Sequence, residues 1–316
     1  MSKKRPEWEE YCVGEIGDFS TTCRPFEIVY HVAHVSDAYR IFEDRSLRAT
    51  LVRDESKLNK TRSSVTWLSP NTWANGSFYG NIRYEFDWKK LIQDKKFYWV
   101  EVMHYSPKAF RILVTDEMPS LDLEPYRPEK DKGPLYHDTA EDKWYWNGEM
   151  TGEFMLDGDL PLSDCKAVSF VDHHHQTCKK DGRSCPDMGR ERSRAGAALL
   201  SRLISQNVIH GDPRLSRLFL DEEEERLHSD ADAAWVRILH SFSRVKPSGK
   251  LTHEDEAAPL LVATMLDMYG AGRDIKDIKN VGSLFSSNEE LELTLRKQVA
   301  KAFDISLKNV TDSEEG

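Results

Sequence analysis

Long apolar runs are missing. No stretch of the 316 residues approaches the ~18 consecutive apolar positions of a membrane-crossing helix. The opening Met1-Ser2-Lys3-Lys4-Arg5 runs into acidic residues and not into an apolar core, so no secretory leader is expected. Positive charge is in deficit: 44 Lys and Arg face 54 Asp and Glu, a formal net charge of −10. That balance excludes a protein that coats nucleic acid by bulk electrostatics, but leaves room for a local basic groove. Cysteine is sparse and odd in number. The five thiols (Cys12, Cys23, Cys165, Cys178, Cys185) point to a reduced, cytoplasmic setting. No internal repeat is visible. What the chain does have is 39% hydrophobic and 10% aromatic residues, enough for a sizeable core and too much for global disorder.

Residues 1–25 are polar, broken by Pro6 and Pro25, and read as an N-terminal tail or lid. From residue 26, short β patterns dominate. Ile28 to Val35 reads as a strand carrying His31 and His34. Ser36 suits the N-cap of a helix with Ala38, Ile41 and Phe42 inward. Further strands are expected at 47–52, 65–68, 80–87, 97–103, 110–114, 153–156 and 167–171, with a helical turn at 88–92. Between Asp116 and Met150 periodicity is lost. A loop of that length is usually functional, and Trp144, Tyr145 and Trp146 could stack an unpaired base or tuck the loop in. After Asp187 the pattern turns helical, at 190–209, 229–245, 257–269 and 291–303, the last behind a Ser287–Glu290 capping box. The expected class is α+β: a tail (1–25), a β-rich domain (26–187) and a helical C-terminal region (188–316).

Four groups carry candidate chemistry. His31 is either a donor to a ligand ribose or a satisfied histidine within a sheet. Glu153 opens an apolar strand after a polar loop. Trp67, Trp73 and Tyr79 surround the turn Ser69-Pro70-Asn71 and offer flat walls to a ring the size of nicotinamide, or simply core. His173-His174-His175, with Cys178 and Cys185, supplies zinc-type donors. The Cys-x6-Cys spacing fits no standard finger, and polar surface is the alternative.

In their order, these segments resemble the three motifs of ADP-ribosyltransferases of the histidine-tyrosine-glutamate type. The first is the strand of His31, with apolar anchors at Ile41 and Leu47. The second is the aromatic strand and turn from Val65 to Gly80. The third, Gly152-Glu153-Phe154-Met155-Leu156 followed by Leu160-Pro161-Leu162, is similar to the DarT-type transferases that modify nucleic-acid bases. The resemblance covers residues 28 to 171. It implies split antiparallel sheets and an ADP-ribosyltransferase-like domain over 26–187. NAD would be the substrate, bound by His31, Trp67, Ser69, Asn71, Tyr79 and Arg83, with Glu153 catalytic and Trp144, Tyr145 and Trp146 on a substrate loop. It also implies a bacterial toxin or phage-defence effector modifying single-stranded RNA or DNA, checked by an antitoxin or chaperone that could dock on Leu260 to Met268.

The chain departs from the family pattern at four points. Val32 follows the histidine where a glycine is usual, and Arg45-Ser46-Leu47 stands where a Gly-Leu is usual. Thr151 replaces the Glu or Gln of the arginine-modifying branch, which directs the chemistry away from arginine. Arg83 is the nearest substitute for the arginine that follows the aromatic strand. Protein-directed transfer, NAD glycohydrolysis and a catalytically inactive binding module are the alternatives.

Overall fold

Alternation of apolar and polar residues turns most of the chain into short strands. The structure, a computed structural model, describes residues 5–14, 22–53, 56–119, 122–173, 178–179, 197, 201, 213–215 and 218. In chain order the strands are β1 (Cys23–Phe26), β2 (Ile28–Ala33), β3 (Ser46–Leu47), β4 (Thr50–Leu51), β5 (Ser64–Leu68), β6 (Ile82–Asp87), β7 (Lys96–Met103), β8 (Ala109–Thr115), β9 (Glu124–Tyr126), β10 (Leu135–Asp138), β11 (Lys143–Asn147), β12 (Thr151–Asp157), β13 (Leu160–Pro161) and β14 (Cys165–Phe170). The α-helices among the described residues are α1 (Val35–Asp44) and α2 (Trp88–Leu91). The described chain is therefore mainly β, with several antiparallel sheets and little helix.

Local chemistry explains the boundaries. In β6, Ile82, Tyr84 and Phe86 are buried while Arg83, Glu85 and Asp87 are only partly so, the period-2 signature of a half-buried strand. Asp87 then caps α2, accepting the Lys90 N–H at 3.2 Å. Helix α1 starts at Val35, one residue before the expected Ser36 cap; the His34 carbonyl accepts the N–H groups of Asp37 and Ala38. Ala38 and Phe42 are buried, as the helical spacing required.

The chain divides into two compact units. The first comprises Met1–His31, Arg45–Thr72 and Tyr84–Ala167; the second comprises Val32–Asp44, Trp73–Arg83 and Val168–Gly316. In the first unit a six-stranded sheet runs β4-β5-β12-β8-β7-β9, beside smaller sheets β1-β11-β10 and β13-β3. Strands β14, β6 and β2 form a further sheet in that order. Strand β8 is buried along its whole length, and β12 at all but its last residue. They are paired in parallel, which suits strands covered on both faces. One face carries Phe154 against Trp88, ring centroids 4.4 Å apart, with Phe26 and Phe110 beside it. The opposite face carries Met155 in a cluster with Val52, Leu58, Val65, Val100 and Leu113, against which Trp67 packs. Each such side chain contributes about 1.5–3 kcal/mol on burial.

Two expectations are corrected. The region 116–150 is not one loop: it contains β9, β10 and β11 and forms the crossover that a parallel β8–β12 pair demands. Its alternation is masked in β11 because Tyr145, between the buried Trp144 and Trp146, is aromatic as well. The region 1–25 is not a tail throughout either. A 3-10 turn, Glu7–Tyr11, buries Trp8 edge-on against Trp99 and Tyr126 at 5.7 and 5.4 Å, and β1 begins at Cys23. Of the helices expected after Asp187, the described residues include Ala197 and Ser201 of 190–209, both helical. The rest of that helix, the helices at 229–245, 257–269 and 291–303, and the face 260–268 lie outside the described residues.

Candidate functional site

A row of charge crosses the six-stranded sheet. Parallel register sets Glu153 of β12 beside Arg111 of β8, and antiparallel register sets Arg111 beside Glu101 of β7. A bulge between Trp99 and Glu101 makes this possible. Trp99 pairs with Ile112, so an unbroken ladder would have set Val100 opposite Arg111; the extra residue brings the Glu101 carboxylate to that face instead. Arg111 Nε donates to Glu153 Oε2 at 2.6 Å, and Arg111 Nη1 lies 3.6 Å from Glu101 Oε1. The guanidinium also sits 4.9 Å over the ring of Trp67. Arg111 is 3% exposed and Glu153 7%. Charges this buried persist only when paired. Glu101 Oε1 and Arg111 Nη1 are both buried without a hydrogen bond and face each other at 3.6 Å, an ion pair just beyond hydrogen-bond reach.

The segments of His31, Ser69 and Glu153 are tied to one another. Tyr30 and Ser69 exchange both backbone hydrogen bonds, at 2.7 and 2.9 Å. His31 Nδ1 lies 2.9 Å from the Trp67 carbonyl; a carbonyl only accepts, so Nδ1 carries the proton and donates. Any contact of this imidazole with a ligand is therefore left to Nε2. Ser69 Oγ accepts the Asn71 N–H and donates to Asn71 Oδ1, which also accepts the Gly152 N–H at 3.4 Å. Gly152 is required here. A Cβ would lie 2.8 Å from Pro70 Cδ and 2.9 Å from Phe110 Cζ, so the turn at 69–71 rests directly on the residue before Glu153.

The other expected site residues are placed differently. Trp67 has its ring against the Arg111 guanidinium and the apolar cluster, which limits it as a wall for nicotinamide. Tyr79 belongs to the second unit, its ring edge-on to Trp73 at 5.3 Å. Arg83, in the same unit, donates from Nε to Ser169 Oγ at 3.0 Å. Trp144 and Trp146 are core residues of β11; Trp144 lies between Trp88 and His137. They are out of reach of a base. Tyr145, half-buried near Tyr136, points to the other side of that strand. A cleft of about 170 Å³ opens at the Asp157 end of β12, lined by Leu58, Thr115 and Met118 among others; Glu153 does not line it.

Arg111 and Glu101 were missed in the sequence. Their signal was a single charge inside an otherwise apolar strand, Phe110-Arg111-Ile112 and Val100-Glu101-Val102. Of the expected zinc donors, His173 and Cys178 come together with His34, while His174, His175 and Cys185 lie outside the described residues. No protein-family model, curated protein or solved structure matches the chain.

Proposed function

We propose that the chain is an NAD-dependent mono-ADP-ribosyltransferase with an ADP-ribosyltransferase-like fold, Glu153 as its catalytic carboxylate and a base of single-stranded RNA or DNA as acceptor. The observation that carries this reading is the joining of three segments, His31, Ser69–Asn71 and Gly152–Glu153, by the contacts above. In this reaction the nicotinamide–ribose bond breaks with its electron pair going to nicotinamide, and the acceptor base bonds to the anomeric carbon. A fixed carboxylate stabilises the positive charge that develops on the ribose. Glu153 also takes the proton that the acceptor loses. Arg111 holds the carboxylate's orientation from one side. A ribose hydroxyl of NAD would donate to Glu101 Oε1, which makes no hydrogen bond within the protein. By the same reading the protein works in the cytoplasm as a toxin or phage-defence effector under an antitoxin.

Purified protein is incubated with labelled NAD and, separately, single-stranded RNA, single-stranded DNA and cell protein. The expected result is label in one nucleic acid, reduced by two orders of magnitude or more in Glu153→Gln, about the 10²–10³-fold loss typical of removing one electrostatic stabiliser. Label in protein moves the acceptor to protein, and NAD loss without label makes the enzyme a glycohydrolase. A second reading is favoured by the 2.6 Å Arg111–Glu153 contact, which is also what a purely structural ion pair looks like. It makes the β unit a catalytically inactive binding module. No label and no NAD loss, with Glu153→Gln altering only stability, decides for it.

A further inference from the structure

Within the second unit, His34, His173 and Cys178 bring two imidazoles and a thiol together, with their donor atoms all within 4.8 Å of one another. The three residues are 2%, 2% and 3% exposed. His34 Nε2 lies 3.2 Å from Cys178 Sγ, and the two imidazole rings meet edge-on with centroids 5.0 Å apart.

The outer contacts orient this group. His173 Nδ1 lies 2.8 Å from the Ser77 carbonyl, which only accepts, so Nδ1 carries the proton and the lone pair of the neutral ring is on Nε2. His34 turns Nδ1 toward the Asp37 carboxylate at 3.6 Å and Nε2 toward the thiol. A carbonyl or carboxylate behind one ring nitrogen, with the other nitrogen facing a shared centre, is how metal-binding histidines are held.

The backbone is arranged for the same purpose. The segment Gly76 to Asn81 touches all three donor-bearing stretches. Asn81 N–H donates to the Ala33 carbonyl at 3.0 Å, next to His34. Ser77 N–H donates to the Asp172 carbonyl at 2.8 Å, next to His173, and the Phe78 carbonyl accepts Lys179 N–H at 2.8 Å, next to Cys178. Gly80, at φ +144°, passes so close to β2 that a Cβ would lie 2.3 Å from the Ala33 carbonyl carbon.

We propose that His34, His173 and Cys178 are three protein ligands of a zinc ion. Two imidazoles and a thiolate form a borderline-soft donor set of the kind zinc takes, with bonds of about 2.0–2.1 Å to nitrogen and about 2.3 Å to sulfur. Tetrahedral ligands at those bond lengths stand about 3.3–3.6 Å apart, so the group settles on the ion by small shifts. Binding transfers the Cys178 proton to solvent and places the thiolate on the metal. The ion pins the start of α1, the end of β14 and the stretch at Cys178 together. It does so whatever reaction the first unit performs.

The decisive measurement uses the full-length, tag-free chain. Purified from zinc-supplemented medium, it carries about one zinc per chain. Stripped and titrated with cobalt, it gains the near-ultraviolet thiolate-to-cobalt charge-transfer band and the visible bands of a tetrahedral site. Cys178→Ser abolishes the charge-transfer band, and Cys165→Ser, a buried thiol elsewhere, leaves it intact. Asp37→Asn weakens cobalt binding about 10–100-fold, as loss of an outer-shell partner does. A wild-type chain with neither zinc nor a charge-transfer band overturns the proposal, as does a band that survives Cys178→Ser. The first of these needs no variant, so a substitution that fails to fold leaves the test standing.

Discussion

Two clusters of buried and part-buried polar side chains among the described residues solve one problem in opposite ways. In the first unit, Glu101, Arg111 and Glu153 are full charges, two carboxylates sharing one guanidinium with one negative charge in excess, held in adjacent strands by ladder register. In the second, His34, His173 and Cys178 are groups that can be neutral when buried, gathered by a turn and anchored through backbone carbonyls. The first group depends on its single guanidinium for all of its counter-charge. The second needs no internal counter-charge, and is suited to receive a cation from outside. A sheet supplies rigid rows for ion pairs, and irregular chain supplies convergent donors for a metal.

Breaking the charge row has the largest expected effect. Arg111→Met leaves the buried Glu153 and the part-buried Glu101 without a counter-ion and lowers stability by about 3–5 kcal/mol, measured by urea unfolding. A loss below about 1 kcal/mol would show that the row is neutralised from elsewhere. The turn of the second group comes next. Gly80→Ala forces a Cβ onto the Ala33 backbone and costs about 1–3 kcal/mol, lowering the zinc content with it. Gly158→Ala is the control: its φ of +84° costs about 1–2 kcal/mol, but no atom lies within 4 Å, and zinc content stays unchanged.

The smallest effect belongs to a half-exposed ion pair, which gives both buried groups a reference. The hydrogen bond from Lys166, ahead of the Lys90 N–H, holds the Asp87 carboxyl below the ordinary aspartate range. A depressed folded-state value means its stabilisation is present above the unfolded value and lost as pH falls through the folded one. Asp87→Ala should cost about 1 kcal/mol near neutral pH, mostly through the lost α2 cap, and the solvent-screened pair adds little. Thermal unfolding of both proteins should converge as pH drops below about 4.

Strand spans were legible because they follow from local alternation. β5, β6, β7, β8 and β12 all begin and end within two residues of their expected bounds. β11 was missed because Trp144, Tyr145 and Trp146 are bulky on both faces and show no contrast between inside and outside. Glu153 stood out as a carboxylate at the head of an apolar strand, yet its partner could not be found by spacing. Arg111 lies 42 residues earlier on a parallel strand, and one bulged residue at Val100 decides whether Glu101 joins them. His173 and Cys178 were visible as donors, but the imidazole that completes them, His34, is 144 residues from Cys178.

By itself, then, the sequence determined where the alternating segments such as β5, β6, β7, β8 and β12 would be extended, which of their faces would be apolar, and that net charge does not favour bulk nucleic-acid binding. Those properties are summed over neighbours along the chain. Tertiary structure alone decided which carboxylate meets the guanidinium and which histidine meets the thiol. Register and crossover set those pairings, and both depend on how distant segments bury their apolar faces together.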